Sequence, residues 1–335
     1  MGKPGAARKL AAAAAVGGGG LSLMGASLYG LLMAEARLAR QAIGKADKIP
    51  PDATGWYGEG RTGPAIKVVL LGDSSAAGYG VETVQETPGA RLASGLAEGA
   101  DRRVYLRSVA GVGAQTRDLS RQIDEALDLQ PHVAVILVGA NDVTHSRLPS
   151  ESVRLLGTAV RRLRDSGAEV VVGTCPDLGT IEPVAFPLRQ VARLWSRRLA
   201  AAQTIVTVEA GGRTVSLASV LGPEFEATPA LFFGPDRFHP SAAGYASLAA
   251  MLLPSVLAAV GVVPTEELVP EPARGEAILP ITEAAVEAAR MPGTEIDGTE
   301  TGRRGRWVQL RRRRRHPETD VESPQSVEPV LRDRA

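Results

Sequence analysis

Four short stretches of the chain hold residue types that do chemistry: Gly72-Asp73-Ser74-Ser75, Gly111-Val112-Gly113-Ala114, Gly139-Ala140-Asn141-Asp142 and Asp236-Arg237-Phe238-His239-Pro240. A serine hydroxyl is a poor nucleophile until a base takes its proton, and histidine is the side chain most often used for that. The Asp-x-x-His spacing puts a carboxylate and an imidazole on one short turn, so that pair can come preassembled. Each stretch also has an ordinary structural reading. Gly-Asp-Ser is a common turn, and Asn-Asp after Gly a common helix cap. The Gly-x-Gly at 111–113 lacks the third glycine of a dinucleotide fingerprint. No Gly-Lys-Ser/Thr follows the first loop, which excludes a Walker phosphate loop. The single cysteine, Cys175, excludes an internal disulfide and an all-cysteine metal site, and four histidines form no metal-ligand cluster.

All four stretches lie at the ends of predicted elements. Ile66–Leu71, Val104–Val109 and Val133–Val138 read as strands, and the last is wholly apolar, as a strand buried on both faces should be. Glu169–Thr174 reads as a fourth strand and Thr204–Glu209 as a fifth. Helical spacing of apolar residues predicts helices at Pro88–Glu98, Arg117–Leu129, Ser152–Ser166, Leu188–Ala202 and Ala242–Ala259. The Arg117–Leu129 pattern places Leu119, Ile123, Ala126 and Leu127 on one face. Such alternation implies βαβ units and a parallel sheet covered on both faces. Ligands of such sheets bind beyond the carboxyl ends of the strands, where the first three stretches fall; the fourth lies near the end of the core.

Taken together and in this order, the stretches resemble the four blocks of the SGNH (GDSL-type) hydrolase family of serine esterases and lipases. The matching residues are Ser74, Gly113, Asn141 and His239, with Asp236 three residues before the histidine. The resemblance covers about 65–263, and it departs in two places. Ser108 stands where many members have an Asn upstream of the second-block glycine, which leaves Gly111 as the alternative to Gly113. Ser75 stands where a Leu is common. The resemblance implies an α/β fold, a three-layer α/β/α sandwich with a mostly parallel, flavodoxin-like sheet. It implies an acyl-enzyme on Ser74, His239 as the base and Asp236 as the partner that orients it. It further implies an oxyanion hole from the Ser74 and Gly113 backbone N–H groups and the Asn141 amide, with no cofactor and no metal. A carboxylic ester of a small molecule, lipid or glycan would be the substrate. An acyltransferase using the same intermediate and a non-catalytic, membrane-tethered binding protein are the competing readings.

Other residues of reactive type default to structure. Asp73 is expected to order the loop of Ser74, and Asp142 to cap. His132 reads as structural, His145 as a surface residue and Cys175 as a buried inert thiol, while His316 lies in the tail. The 335 residues carry 38 basic and 37 acidic side chains, a balance that excludes a chain-wide basic field for nucleic acid.

Both ends differ from the middle. Residues 10–34 carry no charge, follow Lys3, Arg8 and Lys9, and end in an Ala-x-Ala at Ala34–Ala36. Residues 1–48 therefore read as a signal peptide or membrane anchor with an extracytoplasmic catalytic domain. Residues 49–64 read as a Pro/Gly-rich linker, 65–263 as one hydrolase domain, expected to be monomeric, and 264–335 as a disordered tail. Within that tail a short amphipathic helix is expected at Ile281–Arg290. The arginines around Trp307 (Arg303, Arg304, Arg306, Arg311–Arg315) read as a solvated charge run, with docking on an anionic surface as the alternative.

Overall fold

The computed structural model describes residues 27–44, 47–217, 229–262, 277–291, 293–298 and 307–312. After a helix over 27–43 (α1), the elements run in this order: β1 (Gly55–Tyr57), β2 (Ile66–Gly72), α2 (Ser74–Ala77), α3 (Pro88–Ala100), β3 (Val104–Ser108), α4 (Leu119–Leu127), β4 (Val133–Leu137), α5 (Ala140–Thr144) and α6 (Pro149–Asp165). Then come β5 (Glu169–Gly173), α7 (Leu188–Glu209), β6 (Arg213–Val215), α8 (Pro229–Phe232), α9 (Ala242–Ala259), β7 (Ala277–Pro280), α10 (Ile281–Ala288), β8 (Thr294–Gly298) and β9 (Trp307–Arg312).

Among the described residues, the strands form one sheet in the order β1-β3-β2-β4-β5-β6-β8-β9-β7. Strands β3, β2, β4, β5 and β6 are mutually parallel, in the doubly wound order of flavodoxin-like folds. The sequence explains the layers. Side chains alternate across a strand, so Val68 and Leu70 of β2 join one core with α3 and α9, while Val69 and Leu71 join the other with α4 and α6. Strand β4 does the same with Val133, Val135 and Leu137 against Ala134 and Ile136. By length and composition α9 is apolar enough to cross a membrane, yet it is a layer helix here, with Leu248, Leu252 and Val256 buried in the first core. The chain reverses direction of winding at β2, whose neighbours are β3 and β4, and the loops after these three strands meet there.

Gly72, the last residue of β2, allows the turn into α2. Its φ is +134°, and a Cβ would collide with the Leu137 carbonyl oxygen. Gly72→Ala is therefore expected to destabilise the fold by about 4 kcal/mol or more, through strain and an unavoidable backbone clash. Denaturant unfolding of the purified variant reads this directly.

Three expectations are corrected. Thr204–Glu209 is not a strand but the last turns of α7. Its β-branched residues favour a strand locally, but Thr204, Thr207 and Val208 are buried at helical spacing, and tertiary packing prevails. The fifth parallel strand is Arg213–Val215. The stretch 49–64 is not wholly linker, because β1 pairs antiparallel with β3 and Trp56 packs on Tyr105 with ring centroids 5.1 Å apart. Nor is 264–335 simply a disordered tail. Strands β8, β9 and β7 extend the sheet beyond β6, and Ile281, Ala284, Ile296, Val308 and Leu310 bury against Val208 of α7. The charges that suggested a solvated segment are partly internal. Glu295 is buried 3.3 Å from Arg213, and Arg311 is buried with its guanidinium 2.7 Å from Gln309. The short amphipathic helix is present as α10. Residues 1–26, Arg303, Arg304, Arg306, Arg313–Arg315 and His316 lie outside the described residues.

Candidate active site

Ser74 is the first residue of α2, on the turn that leaves β2. The Asp73 carboxylate caps this helix by accepting the Ser75 N–H at 2.9 Å. At the first helical position the Ser74 N–H has no intrahelical acceptor. Gln122 of α4, fully buried, supports the turn from behind. Its side chain accepts the Gly72 N–H at 2.8 Å and donates to the Gly72 carbonyl at 2.9 Å. The sequence carries a signal for it: Gln122 sits on the same face as Leu119, Ile123 and Ala126, a polar side chain inside an apolar stripe.

His239 and Asp236 lie on the loop that enters α9. The Asp236 carboxylate accepts the backbone N–H groups of Phe238 and His239 at 3.0 Å each. Its second oxygen is 2.6 Å from His239 Nδ1. Gly234 N–H donates to the His239 carbonyl at 2.8 Å, which closes the loop. His239 Nε2 is 3.0 Å from Ser74 Oγ, across 165 residues of sequence. The imidazole is buried, with the Tyr79 ring 4.5 Å and the Phe238 ring 4.8 Å away. Tyr79 is fixed in turn, since its carbonyl accepts the hydroxyl of fully buried Tyr245 at 2.7 Å. Partial burial would raise the Asp236 pKa, but the hydrogen bonds from the His239 ring and the two backbone N–H groups outweigh it and hold the carboxyl below its ordinary range.

The loop after β3 is tied on three sides. Gly111 N–H donates to the Gly72 carbonyl at 3.0 Å. The Asn141 amide donates to the Ala114 carbonyl at 3.0 Å. The buried Asp142 carboxylate accepts from Thr116 N–H at 3.1 Å, Thr116 Oγ1 at 3.0 Å and Ser152 Oγ at 2.7 Å. Gly113 is exposed at a φ of +79°, and its N–H makes no hydrogen bond among the described residues. The two second-block glycines are thus distinguished: the Gly111 N–H is committed to Gly72, and that of Gly113 is not. Asn141 lines the same open cleft as Ser74 and His239, whereas Gly113 and Asp236 do not line it. The cleft holds about 730 Å³ including its mouth, and its walls are mainly apolar, among them Val138, Leu178, Ile181, Leu217 and Phe233.

The remaining reactive residues take structural places. His132 Nδ1 accepts the Lys67 N–H at 2.9 Å, and burial, followed by nearby Lys67 and Arg102, lowers its pKa. His145 is exposed on α5's end. Cys175 is buried, and that burial pushes its thiol well up in pKa. Asp73 is raised from 3.8 to about 6, mainly by burial and against the hydrogen bond from Ser75. Between these two pH values the folded protein holds more protons than the unfolded chain, so this group's contribution to stability falls as pH rises. Asp73→Asn keeps an acceptor for Ser75 and does not titrate. Its unfolding free energy relative to wild type is expected to gain on the order of 2–3 kcal/mol between pH 4 and pH 7. Denaturant titrations across that range check this, and a constant difference between the two proteins would remove Asp73 as the titrating group.

The profile of the GDSL-like lipase/acylhydrolase family matches residues 70–247. The GDSL-like esterase Rv1075c of Mycobacterium tuberculosis is 43% identical over 256 residues, 73% of this chain and 80% of that protein. Among solved structures, LAE5, an alpha/beta hydrolase enzyme from the metagenome of Lake Arreo, Spain, is similar over 60% of this chain and 97% of its own, with 21% identity and a TM-score of 0.47. The acetylxylan esterase Axe2 from Geobacillus stearothermophilus is similar over 62% of this chain and 98% of its own, with 19% identity and a TM-score of 0.45.

Proposed function

The chain belongs to the GDSL-like lipase/acylhydrolase family and is a carboxylic ester hydrolase, and from that premise we propose that it works through an acyl-enzyme on Ser74. His239 Nε2 takes the hydroxyl proton as Ser74 Oγ attacks the ester carbonyl. Asp236 holds the ring with Nδ1–H toward itself and stabilises the imidazolium that forms. The carbonyl oxygen, now an anion, is received by the N–H groups of Ser74 and Gly113 and by the free N–H of the Asn141 amide. As the tetrahedral adduct collapses, the C–O bond to the alcohol breaks and His239 returns its proton to the leaving oxygen. Water then attacks the acyl-enzyme with the same base, releasing the acid and restoring Ser74 Oγ–H. The apolar cleft walls take the acyl group.

The observation that carries this reading is the unbroken chain of Ser74 Oγ, His239 and Asp236 at 3.0 and 2.6 Å. A serine-directed fluorophosphonate probe tests it. Wild type is expected to label stoichiometrically and Ser74→Ala not at all. Folded wild type that stays unlabelled while hydrolysing p-nitrophenyl butyrate would overturn the acyl-enzyme mechanism.

A further inference from the structure

Helix α1 is joined to the wall of the catalytic cleft, and at its other end it runs on from the uncharged N-terminal stretch. Ala39 is buried in a cluster with Ala140, Leu178, Ile181 and Val184, with Phe238 packed at its edge. Of these, Ala140, Leu178, Ile181 and Phe238 line the cleft, so α1 stands one side-chain layer from the cleft. Glu35 fixes it there, since its carboxylate accepts the Leu188 N–H at 2.9 Å and so supplies the N-terminus of α7 with an acceptor. The rest of α1 is largely bare, and its exposed apolar side chains lie on both flanks and at its start: Leu28, Tyr29, Leu31, Met33 and Leu38. Phe186, two residues before Leu188, is 76% exposed on the adjoining loop.

What covers these side chains follows from the chain that leads into them. Residues 10–34 carry no charge, and α1 begins inside this run, so its first turns are the run's own end. Twenty-five uncharged residues suffice to cross a hydrocarbon core of about 30 Å. The first charges after the run are Glu35, Arg37 and Arg40, and both arginines are exposed. Arg37 and Arg40 thus stand where phosphate headgroups would begin. Ala39 follows Ala34 by five residues, about 8 Å along a helix axis. Cleavage after Ala36 would cut α1 in mid-helix and remove the Glu35 carboxylate from α7.

We propose that the N-terminal segment is retained as an anchor, that α1 and Phe186 seat the protein on a phospholipid bilayer, and that the cleft draws its ester from a lipid of that bilayer. This rests on the ester-hydrolase reading above and assigns its substrate class. The test uses the full-length protein reconstituted in vesicles of 3:1 phosphatidylcholine and phosphatidylglycerol. Two substrates are followed: water-soluble p-nitrophenyl butyrate and dioleoylglycerol carried in the vesicles. Wild type is expected to float with the vesicles and to hydrolyse both. Glu35→Ala, which unties α1, and Phe186→Asp, which makes the seat polar, are each expected to lose about tenfold on the vesicle ester. Both should stay within twofold of wild type on the soluble one. Equal losses on both substrates, or a wild type that cleaves only the soluble ester, would overturn the proposal while leaving the ester-hydrolase reading in place. Protein extracted from membranes with Arg37 at its N-terminus, or a soluble dimer that ignores vesicles, would overturn it too. Failure on both substrates would instead strike the ester-hydrolase reading itself.

Discussion

Ser74→Ala is expected to lower kcat for p-nitrophenyl butyrate by about a millionfold, to a rate set by the oxyanion donors and substrate binding alone. The fold should be nearly indifferent to the change. Among the described residues the Ser74 hydroxyl has one partner, His239 Nε2, and its loss is worth about 1 kcal/mol of stability or less. The helix it begins is held by the Asp73 cap and by the buried Gln122 behind the turn, neither of which touches the hydroxyl. The sharper expectation concerns the double variant. With Ser74 gone, His239 has no proton to accept, so Ser74→Ala/His239→Ala should be no slower than Ser74→Ala. Steady-state rates, with thermal unfolding as the control, measure both. A second large loss on removing His239 from the serine-free protein would mean that the histidine activates something other than Ser74, such as water directly.

The parts of this site that the sequence disclosed are those whose chemistry is local. Asp236 and His239 are three residues apart, and one carboxylate binds both the ring and the backbone of the same turn, so the pair is specified within that turn. The parallel sheet was legible because β4 is apolar throughout, which only burial on both faces explains. Non-local support was harder to read. Gln203, at the end of α7, accepts the Cys175 N–H and donates to the Val138 carbonyl, joining the ends of β4 and β5 beside the cleft. Seeing it requires α7 to continue through Thr204–Glu209, where β-branched residues point locally to a strand. The added strands β8 and β9 were hidden for a different reason. They carry Glu295 and Arg311 inward, and composition counts a buried, paired charge as a solvated one. Resolving Gly111 from Gly113 needed hydrogen bonds, because both glycines fit the motif and only the fold shows which N–H is already used.

That distinction shapes the second large effect expected. Asn141→Ala should reduce kcat by roughly two to three orders of magnitude with little change in KM, as for loss of a single preorganised oxyanion donor. The Asn141 amide has two N–H groups. One is committed to the Ala114 carbonyl at 3.0 Å, and the other is the proposed donor to the oxyanion. The substitution therefore removes a donor and also loosens the loop that presents the Gly113 N–H. The two contributions can be separated. Thr116→Val cuts the Thr116 hydroxyl bond to Asp142, and so releases the same loop from its other side without touching any proposed donor. If loop position alone governs the rate, Thr116→Val should approach the loss seen in Asn141→Ala. If the Asn141 N–H acts on the transition state, Thr116→Val should cost no more than about tenfold while Asn141→Ala keeps its full effect. A phosphonate ester that mimics the tetrahedral adduct supplies the independent readout. Its inactivation rate should fall in Asn141→Ala in proportion to kcat, because both transition states place negative charge on the same oxygen.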